Sequence, residues 1–206
     1  MENATSFGYG DFSFSWGDHI CAIFDDHDQQ MEIMGAFVAS GLRATQRCVW
    51  VGPGNSSVAL RKALADLGAD LPTLEASGQL LIFSEVDFYL EEGLFEPNRT
   101  MDLIATLLVD GQRQGYATMR IGNDVSWLRE GRIDPARWER FEGQLTQEIA
   151  ELPAVMVCQY DRRQVSGDII VAAFRTHPIV IMGDSIRRNP FYTLRHRGGT
   201  EPRDVM

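Results

Sequence analysis

The sequence predicts an α/β fold, a doubly wound and mostly parallel sheet of about six strands with helices on both faces. Three observations predict it. Short runs rich in Val, Ile and Phe are nearly continuous in apolar residues, the pattern of strands buried on both sides. Segments with apolar residues three and four apart lie between these runs, the pattern of helices with one buried stripe. The two kinds alternate along the chain, which implies right-handed βαβ units wound onto a common sheet.

Taken in order, the first strand is read at residues 19–24, where His, Ile, Cys, Ala, Ile and Phe follow one another. Met31, Met34, Phe37, Val38, Gly41 and Leu42 mark the first helix, and residues 47–52 the second strand. Leu60, Ala63, Leu64 and Leu67 form the next stripe, followed by a strand at residues 79–85. Met101, Ile104, Leu107 and Leu108 give a third helix ahead of a strand at residues 117–124. Trp138, Phe141, Leu145 and Ile149 give a fourth, ahead of a strand at residues 154–161. A shorter helix at residues 168–175 precedes the last strand, residues 177–183. Gly41, Gly68 and Gly115 fall near helix ends, where a left-handed residue is commonly needed. No repeat and no Pro- or Ser-rich linker divides the chain. The expected organisation is an N-terminal aromatic arm at residues 1–16 (Phe7, Tyr9, Phe12, Phe14, Trp16), one domain at 17–192, and a tail at 193–206.

The 206 residues carry 19 Lys and Arg against 29 Asp and Glu, a net charge of −10. An acidic surface repels phosphate backbones and anionic lipid, so nucleic acid and membrane are not expected as partners. No apolar run approaches the roughly 20 residues that cross a bilayer. The N-terminus has no basic start or apolar stretch of a signal peptide, so a cytoplasmic location is expected. Cys21, Cys48 and Cys158 are odd in number and scattered through strand-like runs, which suits buried free thiols in a reducing compartment. No Cys/His spacing is that of a zinc site, and no metal is expected on this ground.

In such a sheet ligands bind past the carboxyl ends of the strands. After the first strand come Phe24, Asp25, Asp26, His27, Asp28 and Gln29, with no Gly, Lys or Ser/Thr to cradle phosphate. Carboxylates there repel triphosphate, or simply cap the helix. The turn from Gly52 to Ser57 fits no phosphate fingerprint. Arg120, on an apolar strand, needs a carboxylate such as Asp124 or Glu85, or an anionic ligand. Trp127 and Tyr160 could wall a pocket with one polar handle each, or be plain core. His19 and His177 open strands, and a pair on separate strands could hold metal or haem; structural roles are the simpler reading. No catalytic constellation has recognisable spacing, so no enzyme is expected.

Several segments then resemble a known family. They are Gly17 to Cys21, Phe37 to Leu42, Arg47 to Val51, Ser77 to Leu80, Arg120 through Trp127, Cys158 to Asp161, Thr176 to Pro178, and Asn189 to Tyr192. Together, in this order, they resemble the MEDS domain, the methanogen and methylotroph sensory domain, over nearly the whole chain. The resemblance implies a RecA/KaiC-like core without the phosphate-binding loop. It also implies sensing of simple hydrocarbon derivatives, including halogenated or methylated one-carbon compounds. One departure is Asn123-Asp124-Val125-Ser126-Trp127, where the family tends to Gly-Glu. The carboxylate is withdrawn by roughly 1–1.5 Å, which would alter ligand preference.

The expectation is therefore a stand-alone sensory domain acting in signal transduction or transcriptional regulation. It would bind a small organic ligand at the strand carboxyl ends through His19, Phe24, Arg120, Asp124, Trp127, Tyr160 and His177. The listener would be a separate signalling protein, such as a kinase, a regulator or a sigma-factor pathway component. A homo-oligomer is expected, with the aromatic arm folding over the pocket or exchanged between subunits. The alternatives are an interaction module with a vestigial pocket, or a sensor holding flavin, haem or cobalamin. The cofactor itself is left unknown.

Overall fold

The computed structural model describes residues 4–129 and 133–193, so all but the first residue of the expected tail lies outside the described residues. The chain runs β1 (Thr5–Ser6), β2 (Ser13–Phe14), β3 (His19–Phe24), α1 (His27–Arg43), β4 (Arg47–Val51), α2 (Gly54–Asp66), α3 (Leu71–Ala76), β5 (Leu80–Phe83), α4 (Glu85–Tyr89), β6 (Leu90–Glu91), β7 (Leu94–Phe95), α5 (Pro97–Arg113), β8 (Met119–Asp124), α6 (Pro135–Ile149), β9 (Ala154–Asp161), α7 (Gly167–Thr176), β10 (Ile179–Met182) and β11 (Ser185–Arg188). A seven-stranded sheet has the order β11-β10-β3-β9-β8-β4-β5, in which only β11 is antiparallel. The six expected strands are its six parallel members.

Alternation along each strand sorts side chains into two cores. Cys21, Ile23, Met156, Cys158 and Tyr160 face one way, beneath α5, α6 and α7. Ile20, Ala22, Phe24, Val155 and Val157 face the other way, beneath α1 and α2. Helix starts follow their capping residues: Asp26 accepts from the amides of Asp28 and Gln29, Asp134 precedes Pro135 at the start of α6, and the Ser166 hydroxyl accepts from the Ile169 amide.

Two expectations are corrected. Gly41 lies inside α1 with ordinary helical backbone, while Gly68 and Gly115 have φ of 82° and 95°. A Cβ at Gly41 would sit 2.7 Å from both Arg120 Cδ and Cys48 Sγ, so this glycine serves close packing of helix on sheet. The N-terminal segment is also no loose arm. β1 and β2 pair antiparallel, and Phe7, Phe12 and Phe14 are buried in the α1-side core.

A buried polar cluster beneath helix α6

β3 and β9 are parallel neighbours, and period-two alternation turns His19 of β3 and Cys158 of β9 toward the same face. α6 crosses that face. Its apolar stripe of Trp138, Phe141, Leu145 and Ile149 contains one carboxylate, Glu142. His177, the residue that ends α7, enters from the side. All four side chains are fully buried, and one ligand-type atom from each lies within 4.8 Å of the others. His19 Nε2 is 3.3 Å from Cys158 Sγ and 3.5 Å from Glu142 Oε2, and His177 Nε2 is also 3.5 Å from Glu142 Oε2.

The surrounding hydrogen bonds assign the protons. His177 Nδ1 lies 2.9 Å from the Ala173 carbonyl, which can only accept, so Nδ1 carries the hydrogen. The Thr146 hydroxyl donates its one hydrogen to a carbonyl, that of Thr176 at 2.7 Å or Glu142 at 2.9 Å. His19 Nδ1, 2.8 Å from that hydroxyl, must then donate to it. Both imidazoles therefore turn an Nε2 lone pair into the cluster. The Tyr160 hydroxyl donates to Glu142 Oε1 at 2.7 Å, and Asn123 Nδ2 donates to Cys158 Sγ at 3.5 Å and to the Tyr89 hydroxyl. Glu142 Oε2 and His177 Nε2 are left buried with no hydrogen-bond partner.

Burial disfavours every charged form here. It pushes the Glu142 carboxyl up to about 8 against hydrogen bonding from Tyr160 and then Cys158, which favours the anion. It pushes His177 down to about 3, and His19 well below its ordinary value with help from His177. The Cys158 thiol is pushed up by burial and then by Glu142. Without a cation the cluster is thus neutral: the Cys158 thiol faces the His19 Nε2 lone pair at 3.3 Å, while the Glu142 carboxyl and His177 Nε2 stand 3.5 Å apart.

The seven side chains expected at one site do not all come together. His19, Tyr160 and His177 meet in the cluster, joined by Glu142 and Cys158. Trp127 lies in the same core, with ring centroids 5.1 Å from Tyr89 and 5.9 Å from Trp138, whose indole N–H donates to Tyr160 at 3.4 Å. His19 and His177 lie at the amino ends of β3 and β10, which corrects the expectation of carboxyl ends. Phe24, at the far end of β3, is buried in the opposite core.

Arg120 and Asp124 share a strand but stand about 13 Å apart along it, so they do not pair. Arg120 donates instead to Gln46 Oε1 at 2.6 Å and to the carbonyls of Phe37, Phe7 and Ser6 at 2.9–3.0 Å. Its guanidinium lies 5.0 Å from the ring centroids of Phe14 and Phe37. It clamps the N-terminal segment. Asp124 accepts from the Ser126 amide at 3.0 Å.

The β3–α1 turn explains itself. The Asp26 carboxylate takes the helix amides that a phosphate would need, and Asp25 pairs with Arg162. A haem slot is likewise missing between His19 and His177, whose rings pack 4.0 Å apart. The two largest surface grooves among those described lie elsewhere, over Gly143 and Arg175 (about 610 Å³) and between Met31 and Ala63 (about 570 Å³).

Fold and site together define a doubly wound α/β sheet whose β3–α1 turn is occupied by carboxylates, carrying a polar centre inside its core. Among solved structures the chain is similar to a KaiC-like protein from the hyperthermophilic archaeon Pyrococcus horikoshii OT3, with a TM-score of 0.60, 13% identity, and coverage of 86% of this chain and 79% of that one. The model of the methanogen/methylotroph, DcmR sensory domain (MEDS) matches residues 18–178, and the chain belongs to that family. It is also similar to the transcriptional repressor DcmR of Methylorubrum extorquens (strain DSM 6343 / CIP 106787 / DM4), at 23% identity over 180 residues, 86% of this chain. The match spans 64% of that repressor's length. No helix among the described residues is long and apolar enough to cross a membrane.

Proposed function

We propose that this chain is a non-enzymatic sensory component of a transcriptional or signalling system, holding a small ligand in its core beneath α6 and reporting it to a separate protein. The observation that carries the reading is the pair of unpartnered buried atoms, Glu142 Oε2 and His177 Nε2, facing each other at 3.5 Å in a fully buried polar cluster. Buried polar groups without partners cost stability, and a bound ligand supplies the missing partner. Membership of a sensory family and the similarity to a repressor support the regulatory role. Free buried cysteines suit a reducing compartment.

Trp127, Trp138, Tyr89 and Tyr160 are buried beside the cluster, which favours a small ligand such as the one-carbon compounds that the family resemblance implies. Ligand occupancy would tie α6 and α7 to β3 and β9, and release would loosen them. That shifts an equilibrium that a partner can read. The test compares transcripts in the host organism for wild type, a deletion, and the Glu142→Ala/His177→Ala chain. The double variant is expected to change the same transcripts as the deletion. A deletion without effect, or a double variant indistinguishable from wild type, overturns the reading.

A further inference from the structure

We propose that His19, Glu142, Cys158 and His177 form a binding site for one divalent transition-metal ion of the zinc class. The inference rests on the sensory reading only in that the same four side chains would be the sensing site; its own support is geometric. Tetrahedral zinc with bonds of about 2.0–2.3 Å to N, O and S requires ligand atoms roughly 3.3–3.6 Å apart. The three distances that join His19 Nε2 to Cys158 Sγ, and each Nε2 to Glu142 Oε2, are 3.3, 3.5 and 3.5 Å. The remaining ligand pairs lie within 4.8 Å, so closing onto an ion needs side-chain shifts of about an ångström rather than a rearranged backbone.

The electron pairs agree with the distances. Both imidazoles present Nε2 lone pairs because their Nδ1 hydrogens are committed to Thr146 and to the Ala173 carbonyl, the outer-shell arrangement that orients metal-bound histidine. Tyr160 holds Glu142 Oε1 and so leaves Oε2 as the ligand atom, while Asn123 donates to the cysteine sulfur. A single proton cannot satisfy His177 Nε2 and Glu142 Oε2 at 3.5 Å, beyond hydrogen-bond length, whereas one cation between them satisfies all four donors. Two nitrogens, one sulfur and one carboxylate oxygen suit zinc or a similar ion. Magnesium and calcium demand all-oxygen shells. On binding, the thiol and the carboxyl release their protons to solvent and the ion takes their lone pairs, with no change of oxidation state.

α6 and the end of α7 each supply a ligand, so the ion would pin both helices to the sheet. All four ligand side chains are fully buried, so loading is expected during folding.

The test unfolds the full chain in chelator, refolds it with excess Zn²⁺ or Co²⁺, and removes loose metal by dialysis. Metal is then counted by plasma mass spectrometry, and the cobalt form is read by absorption. The expected result is one ion per chain, with a thiolate-to-cobalt charge-transfer band and intense tetrahedral d–d bands. Cys158→Ser is expected to abolish the charge-transfer band. Its affinity for zinc should fall by at least the roughly 10–100-fold that outer-shell changes cost. Wild-type protein that refolds fully yet holds no ion and shows no such band overturns the proposal, whatever the variants do. Refolded protein that holds no ion, while deletion and the Glu142→Ala/His177→Ala chain still change the same transcripts, overturns the metal site and leaves the sensory reading standing. Metal-loaded protein whose deletion changes no transcript does the reverse.

Discussion

Arg120→Met separates a structural clamp from a ligand anchor. The guanidinium is 1% exposed and satisfied by four acceptors of the chain itself. Burial draws it down to about 10, so it remains charged at neutral pH. Methionine retains much of the apolar stem but none of the donors. Ser6 is exposed and Gln46 half-buried, so their oxygens recover water when the donor is lost. The Phe7 carbonyl belongs to a fully buried residue and, once orphaned, costs about 1–3 kcal/mol, whereas the Phe37 carbonyl keeps its helical hydrogen bond from the Gly41 amide within α1. Removing a buried cation that no carboxylate among the described residues neutralises offsets part of this. The net is a loss of about 1–3 kcal/mol, read by urea unfolding. The same change should expose the segment between Phe7 and Phe14 to limited proteolysis, because that segment is what Arg120 holds. Arg120→Lys should behave similarly, since one ammonium cannot reach four separated acceptors. A stability within 0.5 kcal/mol of wild type, with the segment still protected, would refute the clamp.

Gly41→Ala should cost about 1–3 kcal/mol by thermal melt, because its new methyl meets Arg120 and Cys48 at 2.7 Å; an unchanged melt would show that the helix slides freely over the sheet. Asp161 is drawn down to about 2, first by the Arg163 side-chain hydrogen bond, against an unfolded value of about 3.9. Its contribution is therefore complete above pH about 4 and lost as pH falls toward 2. The stability gap between wild type and Asp161→Asn should narrow across that window; a gap independent of pH contradicts the pairing. Tyr160→Phe removes the donor to Glu142 Oε1 and should weaken zinc by roughly 10–100-fold in a chelator competition while leaving one ion per chain at saturation.

The parallel sheet was legible because its strands are apolar on both faces and its helices carry clear stripes. β3 and β9 fall at their expected bounds for that reason. The short elements β1, β2, α3, α4, β6, β7 and β11 were not legible, since two to six residues carry no period. The site was legible only in part. His19, Tyr160 and His177 were singled out one by one, but their meeting depends on strand order, which places β3 between β9 and β10 although their sequence positions are far apart. Glu142 carried a readable signal, a carboxylate in the middle of the stripe formed by Trp138, Phe141, Leu145 and Ile149. Cys158 carried a weaker one, on the same strand face as Tyr160. Arg120 misled because a buried cation suggests a carboxylate, and here backbone carbonyls from distant segments serve instead.

The most direct measurement is X-ray absorption at the zinc edge of refolded, zinc-loaded protein. The account predicts a four-coordinate shell of one sulfur at about 2.3 Å and three nitrogen or oxygen neighbours at about 2.0–2.2 Å, with imidazole outer-shell scattering. A six-coordinate oxygen shell, or no bound zinc at all, would contradict it.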